Sequence, residues 1–152
     1  MRRKNRGWKK GESNMDFSGG HKKMRVWQNS DRLNWMIQKV ALKKIPRTEF
    51  NLRDQIDRAA DSICANFVEG YYSGSLSEYL RFLRYGKRSL GELIDWVRRA
   101  YFKGFILVNE YEDFEKLGGQ TLYLFHRLIA SLEKKKSLCK RGEVGPARPI
   151  RE

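Results

Sequence analysis

The sequence is poor in the residues that cross-link, coordinate or catalyse: among 152 residues there are two cysteines, two histidines and three prolines. Cys64 and Cys139 are too few for a disulfide framework in a chain of this length. No run approaches the ~18 uninterrupted apolar residues that a membrane-spanning helix requires. The opening MRRKNRGWKKGESN also lacks the apolar stretch of a secretory signal. Both absences argue against a membrane protein and lead us to expect a soluble, cytoplasmic one. No segment alternates polar and apolar residues as a half-buried strand does, and no internal repeat is present. What the chain has is 40% hydrophobic residues, 12% of the total being aromatic, enough to bury the core of one domain.

It is also rich in positive charge, with 32 Lys/Arg against 18 Asp/Glu and a net charge of +14. Residues 1–25 carry nine Lys/Arg and two acids, residues 134–152 seven and two, and residues 26–133 sixteen and fourteen. Most of the excess therefore lies at the two ends. Their glycines, prolines and Lys/Arg runs give the composition of disordered arms. The expected organisation is a basic N-terminal arm over 1–23, a folded body over 24–135 and a basic tail over 136–152. Such arms suit loose anion binding or a nucleic-acid role. Met1, Met15 and Met24 are all candidate starts, and beginning at Met15 would lower the net charge to +9.

Within the body, apolar residues recur at helical spacing four times. The first helix is expected from about Met24 to Lys44, with Trp27, Ser30, Leu33, Ile37, Val40 and Ala41 inward, and Pro46 prevents it from continuing. The second, capped by Asn51, carries Leu52, Ile56, Ala59, Ile63 and Phe67 inward and Asp54, Asp57 and Asp61 outward, and stops at Gly70. Ser75-Leu76-Ser77-Glu78 has capping-box spacing for a third helix that runs to about Lys103, with Gly104 as its stop. Its inward residues are Tyr79, Leu83, Gly86, Leu90, Leu93, Ile94, Val97 and Tyr101. Asn109-Glu110-Tyr111-Glu112 opens a fourth helix, with Phe114, Leu117, Thr121, Leu124, Phe125, Leu128 and Leu132 inward and Lys134, Lys135 and Lys136 at its end. Gly118-Gly119 inside it implies a close helix approach or a local bend. Connections of a few residues force neighbours to run antiparallel, so the expected fold is all-α, an up-down-up-down four-helix bundle. Trp35 and Trp96 point away from the assigned core, as residues of a subunit interface would.

Reactive chemistry finds little support. His21 falls in the arm and His126 on the polar face of the fourth helix, neither with a partner at metal-ligand or base-nucleophile spacing. Cys64 reads as a small core residue and Cys139 as an exposed tail residue. The aspartates of the second helix are backed by Arg53 and Arg58. Gly86-Lys87-Arg88-Ser89 resembles the end of a phosphate-binding loop, but Arg81 stands where the first glycine must be and no strand precedes it. No catalytic residue, metal or cofactor is assigned, and the protein is expected not to be an enzyme. The remaining feature is a row on the outer face of the third helix: Arg81, Arg84, Tyr85, Lys87, Arg88 and Arg99. It suits RNA, with guanidinium groups on phosphates and a tyrosine to stack on an unpaired base. It equally suits acidic protein surfaces, since Glu92 and Asp95 dilute it.

Several segments, taken in order, carry a resemblance. They are Met24-Arg25-Val26-Trp27-Gln28, Gln55-Ile56-Asp57-Arg58-Ala59-Ala60-Asp61-Ser62-Ile63, Asn66-Phe67-Val68-Glu69-Gly70, Glu78-Tyr79-Leu80-Arg81-Phe82-Leu83 and Ser89-Leu90-Gly91-Glu92-Leu93. Together they resemble the bacterial four-helix-bundle family encoded in 23S rRNA intervening sequences or elsewhere in genomes, related to accessory proteins of diversity-generating retroelements. The likeness covers about residues 24–135. It implies a homopentameric barrel and, as in the retroelement relatives, a basic surface for template RNA and reverse transcriptase. Asn66 to Gly70 corresponds to the family's Asn-Ile-Ala-Glu-Gly, where Asn66 and Glu69 are expected as a bonded pair closing the turn. Gln55, Arg58, Gly70, Ser89 and Glu92 are likewise expected to be structural. Where the family commonly has Ala-Arg-Gly-Ser this chain has Gly86-Lys87-Arg88-Ser89, so Arg88 adds charge at a position usually held by glycine.

Overall fold

Each of the four apolar stripes becomes the buried face of a helix in the computed structural model, which describes residues 20–142. Residues 1–19 and 143–152 lie outside that range, and with them most of both expected arms. A short 3-10 turn, His21–Lys23, leads into α1, which spans 25–44. It is α-helical over Arg25–Met36 and Leu42–Lys44, with a π-helical turn at Ile37–Ala41 between them. Then follow α2 (Phe50–Tyr72), α3 (Leu76–Phe102) and α4 (Val108–Lys140). No strand occurs among the described residues. The short connections make consecutive helices antiparallel. α2 packs along α3, α3 along α4, and α1 closes the bundle between α2 and α4, which is the expected up-down-up-down arrangement.

Leu33, Ile37, Ile56, Ile63, Phe67, Leu83, Leu90, Leu93 and Phe125 are fully buried along the axis, each contributing about 1.5–3 kcal/mol relative to an exposed position. The buried hydroxyls cost little. Ser30 donates to the Val26 carbonyl and Thr121 to the Leu117 carbonyl, both at 2.7 Å and within their own helices. Between α2 and α3, Ser62 and Ser89 meet at 2.9 Å, and Asn66 donates to the Ser62 carbonyl and hydroxyl.

The helix ends differ from expectation for local reasons. α2 begins at Phe50, with Glu49 rather than Asn51 at the cap position. Arg53 turns back to donate to the Leu42 and Ile45 carbonyls at the end of α1, and Glu49 accepts from Lys103 at 2.7 Å. This fixes the corner two residues earlier and leaves Asn51 inside the helix. At its other end α2 runs two residues past Gly70, and the chain turns at Gly74, whose φ is +73°. Gly70 serves packing instead: a β-carbon there would sit 2.7 Å from the Phe82 β-carbon. Ser75 caps α3 as expected, accepting from the Glu78 amide at 3.4 Å. The reciprocal half of the box is not made, because the Glu78 carboxylate pairs with Arg81. Gly104, at φ +82°, ends α3 as expected.

α4 is capped at Leu107, two residues before the expected Asn109, because the Glu110 carboxylate reaches back to accept the Leu107 amide at 3.0 Å. It continues to Lys140, so 136–140, assigned to the tail, are helical, and Cys139 is half-buried there. The close approach expected at Gly118-Gly119 belongs to Gly118, which faces Ile94, whereas Gly119 faces open space.

Candidate RNA-binding surface

The outer face of α3 is as exposed as its periodicity requires, for Arg81, Arg84, Tyr85, Arg88 and Arg99 all face solvent, while Lys87 is half-buried. The row is not uniform. Arg81 pairs with Glu78 and Arg84 with Glu133 of α4. Arg88 has no ion pair among the described residues, and its guanidinium stands 5.8 Å from the centre of the Tyr85 ring. Arg99 lies three turns further on, paired with Asp95 at 2.7 Å and 4.5 Å from the centre of the Trp96 ring. Arg81, Arg84, Tyr85, Lys87 and Arg88 form one group, and Arg99 stands apart from it. Trp96, expected to be exposed, is half-buried against the core beside Arg99, whereas Trp35 is 58% exposed.

The cross-helix bonds set the axial register: Asn34 with Asp61 and Gln38 with Asp57 join α1 to α2, Ser62 with Ser89 joins α2 to α3, and Arg84 with Glu133 joins α3 to α4. One half of the bundle therefore consists of residues 21–30, 62–88 and 124–142. It holds thirteen Lys/Arg against Glu69, Glu78 and Glu133. The other half, 31–61 and 89–123, holds eleven Lys/Arg and eleven acids. The whole +10 of the described residues thus belongs to one half, which includes the Arg81–Arg88 group and the lysines ending α4. The body that looked nearly neutral along the chain is polarised along its axis, because hairpin folding brings the basic stretches of three helices together.

The outward acids of α2 do not form a carboxylate pair. Asp57 and Asp61 accept from the α1 amides and Asp54 from Arg58. Asn66 bonds to Ser62 instead of Glu69, which is exposed; the spacing of three residues suggested a pair, but the Ser62 side chain one turn back is nearer to the α2/α3 seam. Gln55 is half-buried and Glu92 exposed on the same two helices, and Arg58 pairs with Asp54. Burial, reinforced by Asp31 and Asp61, pushes the Cys64 thiol up to about 12 and makes it inert. No cluster of three or more metal-ligating side chains occurs among the described residues, and no helix there is long and apolar enough to cross a membrane.

Two features escaped the sequence reading. Beside the π-helical turn, α1 and α4 part to form a groove of about 560 Å³ with Trp35, Met36, Val40, Phe114 and Leu117 in its lining. At the basic end, His21, assigned to the arm, is packed. Its ring meets those of Trp27, Tyr71 and Tyr72 edge-on, and its Nδ1 lies 3.0 Å from the Tyr72 hydroxyl. Burial, then the charge of Lys22, lowers its pKa. The aromatic spacing from Trp27 to Tyr71-Tyr72 was visible in the sequence, but their meeting depends on α1 and α2 running antiparallel.

Fold and surface together define an up-down-up-down four-helix-bundle protein with one strongly cationic half. Residues 22–124 match the family model of the 23S rRNA-intervening sequence protein, and the chain belongs to that family. No curated protein matches it.

Proposed function

We propose that the protein is a non-enzymatic, oligomeric RNA-binding protein that acts in ribonucleoprotein assembly. The observation that carries this reading is the confinement of the body's entire net charge to one half, where Arg81, Arg84, Lys87 and Arg88 stand together on a rigid helix. Phosphate contacts supply most of the affinity and little of the sequence readout. Exposed Trp35 and the groove beside it support a subunit interface. A homopentamer would repeat the cationic half around a ring and make binding multivalent. Service to the reverse transcriptase of a diversity-generating retroelement follows from the family likeness, and the neighbouring genes test it. The test of RNA binding is a filter-binding titration of a structured RNA at two salt concentrations. Replacing Arg81, Arg84 and Arg88 by Glu should weaken binding well beyond deletion of 1–19 and flatten the salt dependence. Unchanged binding by the triple variant would overturn the assignment to α3.

A second reading, a scaffold that docks a protein partner with RNA incidental, is favoured by the neutral end. There Phe50, Phe102, Leu107 and Val108 are all more than half exposed. A protein that stays bound after nuclease and a high-salt wash would support the scaffold.

A further inference from the structure

The basic half differs from the neutral one in its exposed rings as well as its charge. Of the large apolar side chains exposed among the described residues, those in the basic half are Tyr72 and Tyr85, both tyrosines. Tyr85 is partly occupied, with Arg88 near its face and the Phe82 ring 5.9 Å away. Tyr72, at the last turn of α2, is 60% exposed. Its two aromatic neighbours, His21 and Tyr71, meet it at interplanar angles of 77° and 73°, so neither lies parallel to it in the arrangement a stacked base would take. The hydrogen bond to His21 and the edge contact with Tyr71 fix the ring's direction, which spares much of the entropy that an exposed side chain loses on binding. Lys22 and Lys23 in the 3-10 turn and Arg25 at the start of α1 follow His21, and Lys134, Lys135, Lys136 and Lys140, with Arg141 as the cap, end α4 at the same end of the bundle.

We infer that this end of the bundle is a stacking site for an unpaired nucleotide, with Tyr72 as the platform and the flanking lysines and arginines holding the phosphates. The inference rests on the RNA-binding reading above and deepens it: the preferred ligand is single-stranded RNA, or a single-stranded end or loop of a structured RNA, over duplex. The chemistry is general, because every base has a π-face and a base stacked on an aromatic side chain is discriminated by its being unpaired. A duplex buries its base faces in its own stack and offers this end only phosphates.

The test uses the full chain with two probes, a single-stranded oligouridine and an RNA duplex of the same number of phosphates, each titrated over a range of salt. Tyr72→Leu should weaken the oligouridine about 5- to 150-fold, the range for loss of one base–aromatic stack, with the salt slope unchanged because no phosphate contact is lost. Duplex affinity should not move. Tyr72→Phe keeps the ring while removing the hydroxyl that meets His21, and should lose much less than Tyr72→Leu, because only that part of the ring's preorganisation goes. In addition, 4-thiouridine placed in the oligomer should cross-link to the peptide that contains Tyr72. Equal losses for Tyr72→Phe and Tyr72→Leu, a changed salt slope, or an equal loss on duplex would each show a structural role and overturn the inference. Wild-type binding to both probes with no effect of Tyr72→Leu overturns the stacking site and leaves the RNA-binding reading standing; absence of binding to either probe overturns both.

Discussion

A set of glycine-to-alanine substitutions tests the packing directly, because the added methyl is identical and only its surroundings differ. In an open helix interior the change should stabilise, since alanine is favoured over glycine by about 0.8–1 kcal/mol. Gly91 and Gly119 meet that condition: both lie inside helices, and an added β-carbon would face open space. Gly70 is also helical, but its β-carbon would fall 2.7 Å from that of Phe82 and 3.1 Å from the Tyr79 ring. The Phe82 β-carbon is fixed to the backbone and cannot swing aside, so α2 and α3 must separate locally. Overpacking of this kind costs about 1–3 kcal/mol, against a propensity gain of about 1 kcal/mol, so Gly70→Ala should be destabilised by up to about 2 kcal/mol. Relative to Gly119→Ala the gap is about 1–3 kcal/mol, or several degrees in melting temperature for a domain of this size. Thermal melts at one protein concentration, so that assembly does not shift the midpoint, measure the difference. Equal melting temperatures for Gly70→Ala and Gly119→Ala would refute the account of how α2 meets α3.

Two further outcomes follow from the titrating groups. The Lys44 hydrogen bond and then the Leu107 amide hold the Glu110 carboxyl below its ordinary pKa of 4.5. Its folded pKa is depressed, so its contribution is full above about pH 4.5 and is lost as pH falls through the lower folded value; Glu110→Gln should therefore reduce the acid-side slope of stability in pH-dependent melts, and an unchanged slope would contradict the contact. The Cys64 thiol, raised from 9.0 to about 12, should have about a thousandfold less thiolate at pH 8 in the native chain than when unfolded. Alkylation followed by peptide mass spectrometry should find Cys64 protected until denaturant is added.

The bundle was legible because its signals are local. A stripe of Ile56, Ile63 and Phe67 can be buried only if α2 lies against something apolar, and Ser75 and Gly104 announce their turns by hydroxyl chemistry and backbone freedom alone. The misplaced boundaries have two causes. Asn51, Gly70 and Asn109 have good residue types for helix ends, but Arg53 bonding the end of α1 and Phe82 packing on Gly70 act from outside the local turn, whereas at α4 a competing local cap wins, Glu110 reaching back three residues to Leu107. The π-helical turn at Ile37–Ala41 has no counterpart in residue type, and nothing in the periodicity of α1 signalled it.

The site was less legible, because charge counted along a chain averages over exactly the distance that folding rearranges. Each of α3 and α4 carries its excess of cations in one half: in α3, Arg81, Arg84, Lys87 and Arg88 outnumber Glu78, whereas Glu92 and Asp95 balance Arg98 and Arg99, and in α4 the lysines from Lys134 to Lys140 lie in one half and all of its acids but Glu133 in the other. Summed over α4 the two nearly cancel, and summed over α3 half of the cationic charge is offset. Antiparallel packing puts the cationic start of α3 beside the cationic end of α4, where Arg84 meets Glu133, while the other four acids of α4 lie at the opposite end. A field built this way decays within about a Debye length of 8–10 Å at physiological salt, so it acts on a polyanion laid against that half and hardly on one at the far end. Residues 1–19, with six Lys/Arg, join the described residues at Gly20, beside Tyr71 at the cationic end. Moving that segment to the opposite end, by attaching it through the α3–α4 connection in a rearranged chain, should therefore lower RNA affinity even though the total charge is unchanged, and equal affinity at matched salt would show that net charge alone governs binding.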